Sequence, residues 1–113
     1  MDERQYQFLA DGAFKMIEGM FEDIDAEDVD CERAGDVITL TMRGGKKCIV
    51  NTQRPTKQIW LAANARAWHF SFDESVNRWK DDKGENRELF ETIANVAKEM
   101  AGVDVKPIAA IRS

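Results

Sequence analysis

The stretch DVDCERAGDVITLTM, residues 28 to 42, is where the hydrophobic period of the chain changes from helical to alternating. Val29 and Cys31 fall on one side of the alternation and Asp28, Asp30 and Glu32 on the other, as a half-buried strand requires. Ala34, Gly35 and Asp36 make a turn. Ile38, Leu40 and Met42 then alternate against Val37, Thr39 and Thr41, which predicts the returning strand of a hairpin.

Working downstream, Gly44 and Gly45 turn the chain again and KKCIVNTQ reads as a third strand. After Pro55, KQIWLA is a fourth, with Ile59 and Leu61 facing one way and Gln58 and Trp60 the other. AWHFSF is a fifth, setting Trp68, Phe70 and Phe72 opposite His69 and Ser71, and NRWK a short sixth. Strands this close together leave no room for crossover helices, so the sheet is expected to be an antiparallel meander.

Upstream, apolar residues at Tyr6, Leu9, Ala10, Ala13, Ile17, Met20, Phe21 and Ile24 form one stripe at helical spacing, predicting an amphipathic helix from Arg4 to about Ile24. Gly12 and Gly19 lie inside it, each costing about 1 kcal/mol against alanine, so packing rather than propensity must hold the helix. After the turn DDKGE, Leu89, Phe90, Ile93, Val96, Ala97 and Met100 restore the helical period, with Gly102 placed to end it. Helix, strand run and helix in that order imply an α+β, two-layer α/β sandwich: two helices on one face of a 5-6 stranded antiparallel sheet, the other face left to solvent. VDVKPIAAIRS follows as a tail.

The 113 residues suit one domain able to bury a core without metal or disulfide staples. No apolar run approaches the roughly 20 residues that span a bilayer, so no membrane association is expected. MDERQYQF has neither the order of a secretory signal nor that of an Arg-rich transit peptide, and a cytoplasmic location is expected. Cys31 and Cys48 form no CxxC pair and sit within strand patterns, so both are read as reduced core residues.

The net charge of −5 is unevenly spread. Residues 18 to 32, EGMFEDIDAEDVDCE, carry eight carboxylates and no lysine or arginine, while Arg33, Arg43, Lys46, Lys47, Arg54 and Lys57 follow with Asp36 the only acid among them. An acidic run is ordinarily a solvated helix end or strand edge. Here Glu18 and Glu22 would stand i, i+4 near the C-terminal end of the predicted helix, where like-charge repulsion and the helix dipole both act against them. Two penalties in one place point to a retained function.

With Asp23, Asp25, Glu27 and Asp28 filling the connection and Asp30 and Glu32 on the strand, the carboxylates would make a continuous ridge that attracts hard cations. It is not an EF-hand: counting from Asp23, the sixth position is Asp28 and the twelfth Ala34, where glycine and glutamate are needed. With no histidine in the segment and its one cysteine read as core, closed zinc and copper sites are disfavoured. What remains is shallow carboxylate-and-water coordination suited to iron, manganese, calcium or magnesium.

No other chemistry competes strongly. His69 is the only histidine and stands in no recognisable triad, and neither GxxxxGK[ST] nor GxGxxG occurs. Nucleic-acid binding lacks both RNP-like aromatic spacing and a basic balance. Trp60 stands out instead, because the alternation sends it to the solvent face beside Gln58, either covered by its neighbours or serving as a binding hot spot.

The acidic first helix, DVDCE, NTQRPTKQIWLA followed by WHF, and the final amphipathic helix together resemble the frataxin family and its bacterial homologues over essentially the whole chain. The resemblance implies a single frataxin-like domain over 1-113 with a C-terminal tail, 103-113. It implies an iron-binding, non-enzymatic protein of iron-sulfur cluster biogenesis that docks on the cysteine desulfurase and the iron-sulfur scaffold protein and regulates cluster assembly, as iron donor or iron sensor. The alternative reading is an acidic adaptor whose metal binding is incidental.

By matching position, Glu18, Glu22, Asp23, Asp25, Glu27, Asp28 and Asp30 are the expected metal ligands and desulfurase-facing ridge. Asn51, Gln53, Gln58 and Trp60 are the expected partner-binding sheet surface. Iron, Fe2+ or Fe3+, would be weakly bound and replaceable by other divalent or trivalent cations, and the chain is expected to be a monomer that can oligomerise with iron. Gly19 stands where relatives often carry another acid, so one ligand of the ridge is expected to be missing. In the family such tails close the groove between the helices, a role open here to Val103, Val105 and Ile108; deleting residues 104 to 113 should then lower the melting temperature.

Overall fold

The computed structural model describes residues 1–83 and 87–106. Helix α1 spans Glu3–Met20, opened by Asp2, whose carboxylate accepts the Gln5 N–H at 2.7 Å and so satisfies one of the helix's otherwise unpaired first amides. Six strands follow: β1 Val29–Ala34, β2 Val37–Met42, β3 Lys47–Gln53, β4 Gln58–Ala63, β5 Arg66–Asp73 and β6 Arg78–Asp81. Helix α2, Leu89–Ala101, follows β6 and stops at Gly102, whose left-handed φ of 67° a side chain would strain. The acid Glu88 caps its start, accepting the Glu91 N–H at 2.9 Å.

The strands lie side by side in chain order, β1-β2-β3-β4-β5-β6, every neighbour antiparallel, as the meander reading required. Both helices cover the same face. That face carries Ile38, Leu40, Met42, Cys48, Val50, Ile59, Leu61, Trp68, Phe70 and Trp79, all buried, and receives Tyr6, Phe14 and Ile17 from α1 and Leu89, Ile93 and Val96 from α2.

Tyr6 anchors α1 to the sheet by a polar contact as well as by burial. Its hydroxyl donates to the Gln58 carbonyl at 2.7 Å and accepts the Gln53 N–H at 3.2 Å, spanning the mouth of the β3–β4 connection, while its ring meets Trp79 edge-on at 6.2 Å. Burial lifts the Tyr6 phenol above its ordinary range.

Val105 is buried against the core and Val103 packs partly on it, lining a groove along α2 with Ala94, Asn95 and Lys98. Ile108 lies outside the described residues. One apolar side chain of α1 points the other way: Phe8 is 78% exposed.

Candidate functional site

The predicted helix reaches Ile24; the observed one ends at Met20. Met20 and Phe21 are consecutive and both buried, and Phe21 satisfies this by leaving helical geometry, at φ −104° and ψ 6°. Its N–H and that of Glu22 reach back only three residues, to the carbonyls of Glu18 and Gly19, each at 3.3 Å. Glu22 therefore stands on a turn rather than one helical turn above Glu18. The helical i, i+4 spacing expected between them is not formed, although both still line the same groove.

From this turn the chain crosses to β1 and forms a shallow groove of about 270 Å³. Glu18 and Glu22, from the end of α1 and the turn after it, line it together with Asp30 and Cys31 of β1 and with Phe21, Ile24 and Val29. Of the seven predicted ligands, the groove thus brings together Glu18, Glu22 and Asp30. Asp23, Asp25 and Glu27 are exposed on the connection outside it. Asp25 is partly committed to holding that connection: its carboxylate accepts the Glu27 N–H at 2.9 Å, and its carbonyl accepts the amides of Asp28 at 2.8 Å and Val29 at 3.1 Å.

The acidic run is not unanswered once folded. Arg43 returns on the far side of the β1–β2 hairpin and holds Asp28 through both Nε, at 3.1 Å, and Nη2, with its own N–H donating to the Asp28 carbonyl at 2.9 Å. Arg33 reaches Glu18 at 3.5 Å and Asp11 at 2.7 Å, and its guanidinium lies 5.1 Å over the Phe14 ring. The hydrogen bond from Arg33 holds the Asp11 carboxyl below the usual carboxylate range. Asp28 is thereby removed from the pool of freely available ligands.

Among the described residues, no three His, Cys, Asp or Glu side chains converge so as to hold a metal ion. A hard cation at the groove would keep most of its water and take one or two carboxylates at a time, which is the geometry of weak, exchangeable binding. Cys31 departs from its core reading, since it is only half-buried and lines the groove. Burial first, then the charges of Glu18 and Asp30, push its thiol up to about 11, so it is a neutral wall at physiological pH rather than a thiolate ligand.

The second predicted surface lies on the open face of the same sheet. Cross-strand register sets Asn51 beside Trp60 and Gln53 beside Gln58, so all four residues form one patch. None is fully exposed; each is half-buried by its neighbours. Trp60 stacks flat on His69, with centroids 4.1 Å apart and planes 14° from parallel, and its Nε1–H donates to Gln58 Oε1 at 2.9 Å. The Gln58 amide nitrogen in turn donates to Ser71 Oγ and Asp82 Oδ2, both at 3.1 Å. The indole is thus held in one orientation by two partners, His69 and Gln58.

His69, which in the sequence stood only as the one histidine outside any recognisable triad, belongs to this patch. Aligning β4 with β5 across the Asn64–Ala65 turn would have found it, because that register pairs Trp60 with His69. Asp82 had no such signal. Asp30 on β1 and Trp60 on β4 are three strand spacings apart across the sheet and, by the register, four residues apart along it, about 20 Å in all, a distance one protein partner can span.

The chain is a small α+β sandwich with an acidic groove at one sheet edge and an oriented tryptophan on the open face. Its kinship is equally definite. A profile of the frataxin-like domain matches residues 1–103. The iron-sulfur cluster assembly protein CyaY of Pseudomonas fluorescens (strain Pf0-1) is 34% identical over 92% of this chain and 93% of its own length. The structure of frataxin from Psychromonas ingrahamii superposes with a TM-score of 0.86 at 26% identity, covering 96% of this chain and 99% of that one. Trimeric frataxin from the yeast Saccharomyces cerevisiae, complexed with ferrous iron, shares the fold with a TM-score of 0.65 at 21% identity over 91% of this chain and 88% of that one. The chain belongs to the frataxin-like family.

Proposed function

We propose that this protein serves iron-sulfur cluster assembly as a weak iron binder that docks on the cysteine desulfurase and its scaffold protein, regulating assembly rather than catalysing a step itself. The observation that carries the reading is the open groove between the end of α1 and β1, where Glu18, Glu22 and Asp30 face solvent without enclosing it. Such a site loads and releases an ion readily, which suits delivery or sensing better than storage. Iron, as Fe2+ or Fe3+, is its intended cargo, and other divalent or trivalent cations would compete for the same oxygens.

Docking uses the same charge. A basic patch on the desulfurase would be steered to the ridge, and the patch of Asn51, Gln53, Gln58 and Trp60 would bind the scaffold protein, with the tryptophan as anchor. A cation on the groove would lower the ridge's charge and weaken docking, coupling iron level to assembly. We place the protein in the cytoplasm, as one domain with a tail from residue 103, acting without nucleic acid or membrane.

A second reading is favoured by one observation: with Asp28 held by Arg43 and no three ligands converging among the described residues, metal binding on the ridge would be incidental to an acidic protein adaptor. An anaerobic Fe(II) titration followed through backbone amides, repeated with the desulfurase in place of metal, separates the two. If both titrations shift residues 18 to 32, one ridge couples iron to docking. Desulfurase shifts there without iron shifts would leave only the adaptor.

A further inference from the structure

Resting on the reading of the Trp60 patch as the surface that binds the scaffold protein, we propose that Asp82 is a positioning residue for that docking: it sets the Gln58 amide, and through it holds the indole in the orientation a partner meets. Asp82 stands one residue beyond the end of β6. Four contacts there close into a ring. The Trp60 Nε1–H donates to Gln58 Oε1 at 2.9 Å, the Gln58 amide nitrogen donates to Asp82 Oδ2 at 3.1 Å, the Asp82 N–H donates to the His69 carbonyl at 3.0 Å, and the His69 ring stacks on Trp60. His69 thus contributes twice, its ring to the indole and its carbonyl to the backbone of Asp82.

Donor and acceptor chemistry gives the ring one direction. An amide can turn over and exchange its oxygen for its nitrogen. Ser71 Oγ, the amide nitrogen's other partner at 3.1 Å, accepts or donates equally well and so does not choose between the two arrangements. An indole N–H can only donate and a carboxylate can only accept. Turned over, Gln58 would set nitrogen against the Trp60 N–H and oxygen against the Asp82 carboxylate, two repulsive contacts at once. Without Asp82 the turned amide would forfeit only the indole's bond, and the ring would be free to swing. The carboxylate is therefore what commits Gln58 Oε1 to the indole, through a charge-assisted bond. Asp82 is itself exposed and has no place in the core. An indole already fixed spares a partner the entropy of fixing it, which makes docking about three- to tenfold tighter.

NMR of the full chain, paired with titration against the purified scaffold protein, tests this. In Asp82→Ala the Trp60 indole N–H, identified by its absence from Trp60→Ala, should exchange with solvent about fivefold faster, and affinity for the scaffold protein should fall about three- to tenfold. Asp82→Asn keeps an accepting oxygen and removes the charge, so it should stay close to the native chain in both readouts. In a Trp60→Ala background, Asp82→Ala should weaken binding no further. An indole N–H indifferent to Asp82→Ala overturns the proposal, and so does a freed indole that leaves the affinity unchanged. A loss of affinity that Asp82→Asn shares, or that persists without Trp60, overturns it as well and makes Asp82 a direct charged contact. If Trp60→Ala binds the scaffold protein as the native chain does, the docking role falls together with the reading beneath it, while the indole's exchange still decides whether Asp82 positions the ring.

Discussion

The two thiols show how a side chain's surroundings decide its chemistry. Burial pushes Cys48 up to about 12 and Cys31 up to about 11, so at neutral pH almost none of either is thiolate. Alkylation by iodoacetamide at neutral pH, followed by mass spectrometry, should run at least about tenfold slower than for a free cysteine, with Cys31 labelled before the fully covered Cys48. A Cys31 that reacted at the free-thiol rate would mean the groove is more open than described. Glu88 is perturbed in the same direction: only 3% exposed, its carboxyl is raised above the usual carboxylate range, chiefly by burial. A carboxyl raised in the folded state stabilises fully below its unfolded pKa, and that contribution is lost as pH rises through the folded pKa. Glu88→Gln keeps an oxygen to cap α2 and cannot ionise. Its melting temperature should therefore gain on the native chain's as pH rises from about 4 to about 8, and a constant gap across that range would contradict the burial argument.

At the scale of elements, α1 is held to the sheet by one hydroxyl as well as by its buried stripe. Tyr6→Phe keeps the ring but strips the Gln53 N–H and the Gln58 carbonyl of their partner, so urea unfolding should show a loss of about 1–3 kcal/mol. A loss near zero would mean water replaces the hydroxyl. Every strand and both helices were legible in the sequence, because period two and period 3.6 are unmistakable when a strand buries one face and a helix one stripe. The end of α1 was not: Phe21 and Ile24 continue the helical pattern in sequence, but both reach the core through turns, and periodicity does not record backbone direction. For the same reason the ridge's residues were legible and its arrangement was not. Arg33 and Arg43 follow the acidic run in sequence and looked like a separate basic patch, yet the hairpin folds Arg43 back onto Asp28 and cross-layer packing brings Arg33 to Glu18.

For the whole molecule, the chain after α2 belongs to the packed unit at least as far as Val105. Val105→Ala should cost about 1–2 kcal/mol, read as a fall in melting temperature of several degrees, and removing residues 104 to 113 should cost at least as much. A truncated chain that melted unchanged would make the tail dispensable. The order of the strands has a further bearing on how the groove behaves. Because the sheet follows the chain, β1 is a margin, joined by a ladder on one side only, while β3 and β4 are clamped on both. Protection against hydrogen exchange should therefore fall from the centre outward, with the amides of residues 29 to 34 opening well before those of 48 to 53. Of the groove's three acids, Asp30 is mounted on this marginal strand, while Glu18 belongs to α1 and Glu22 to the turn after it. An ion drawing Glu22 and Asp30 toward itself would then work against the loosest board of the floor, and the tryptophan patch three strands away would keep its shape while the groove changed its own.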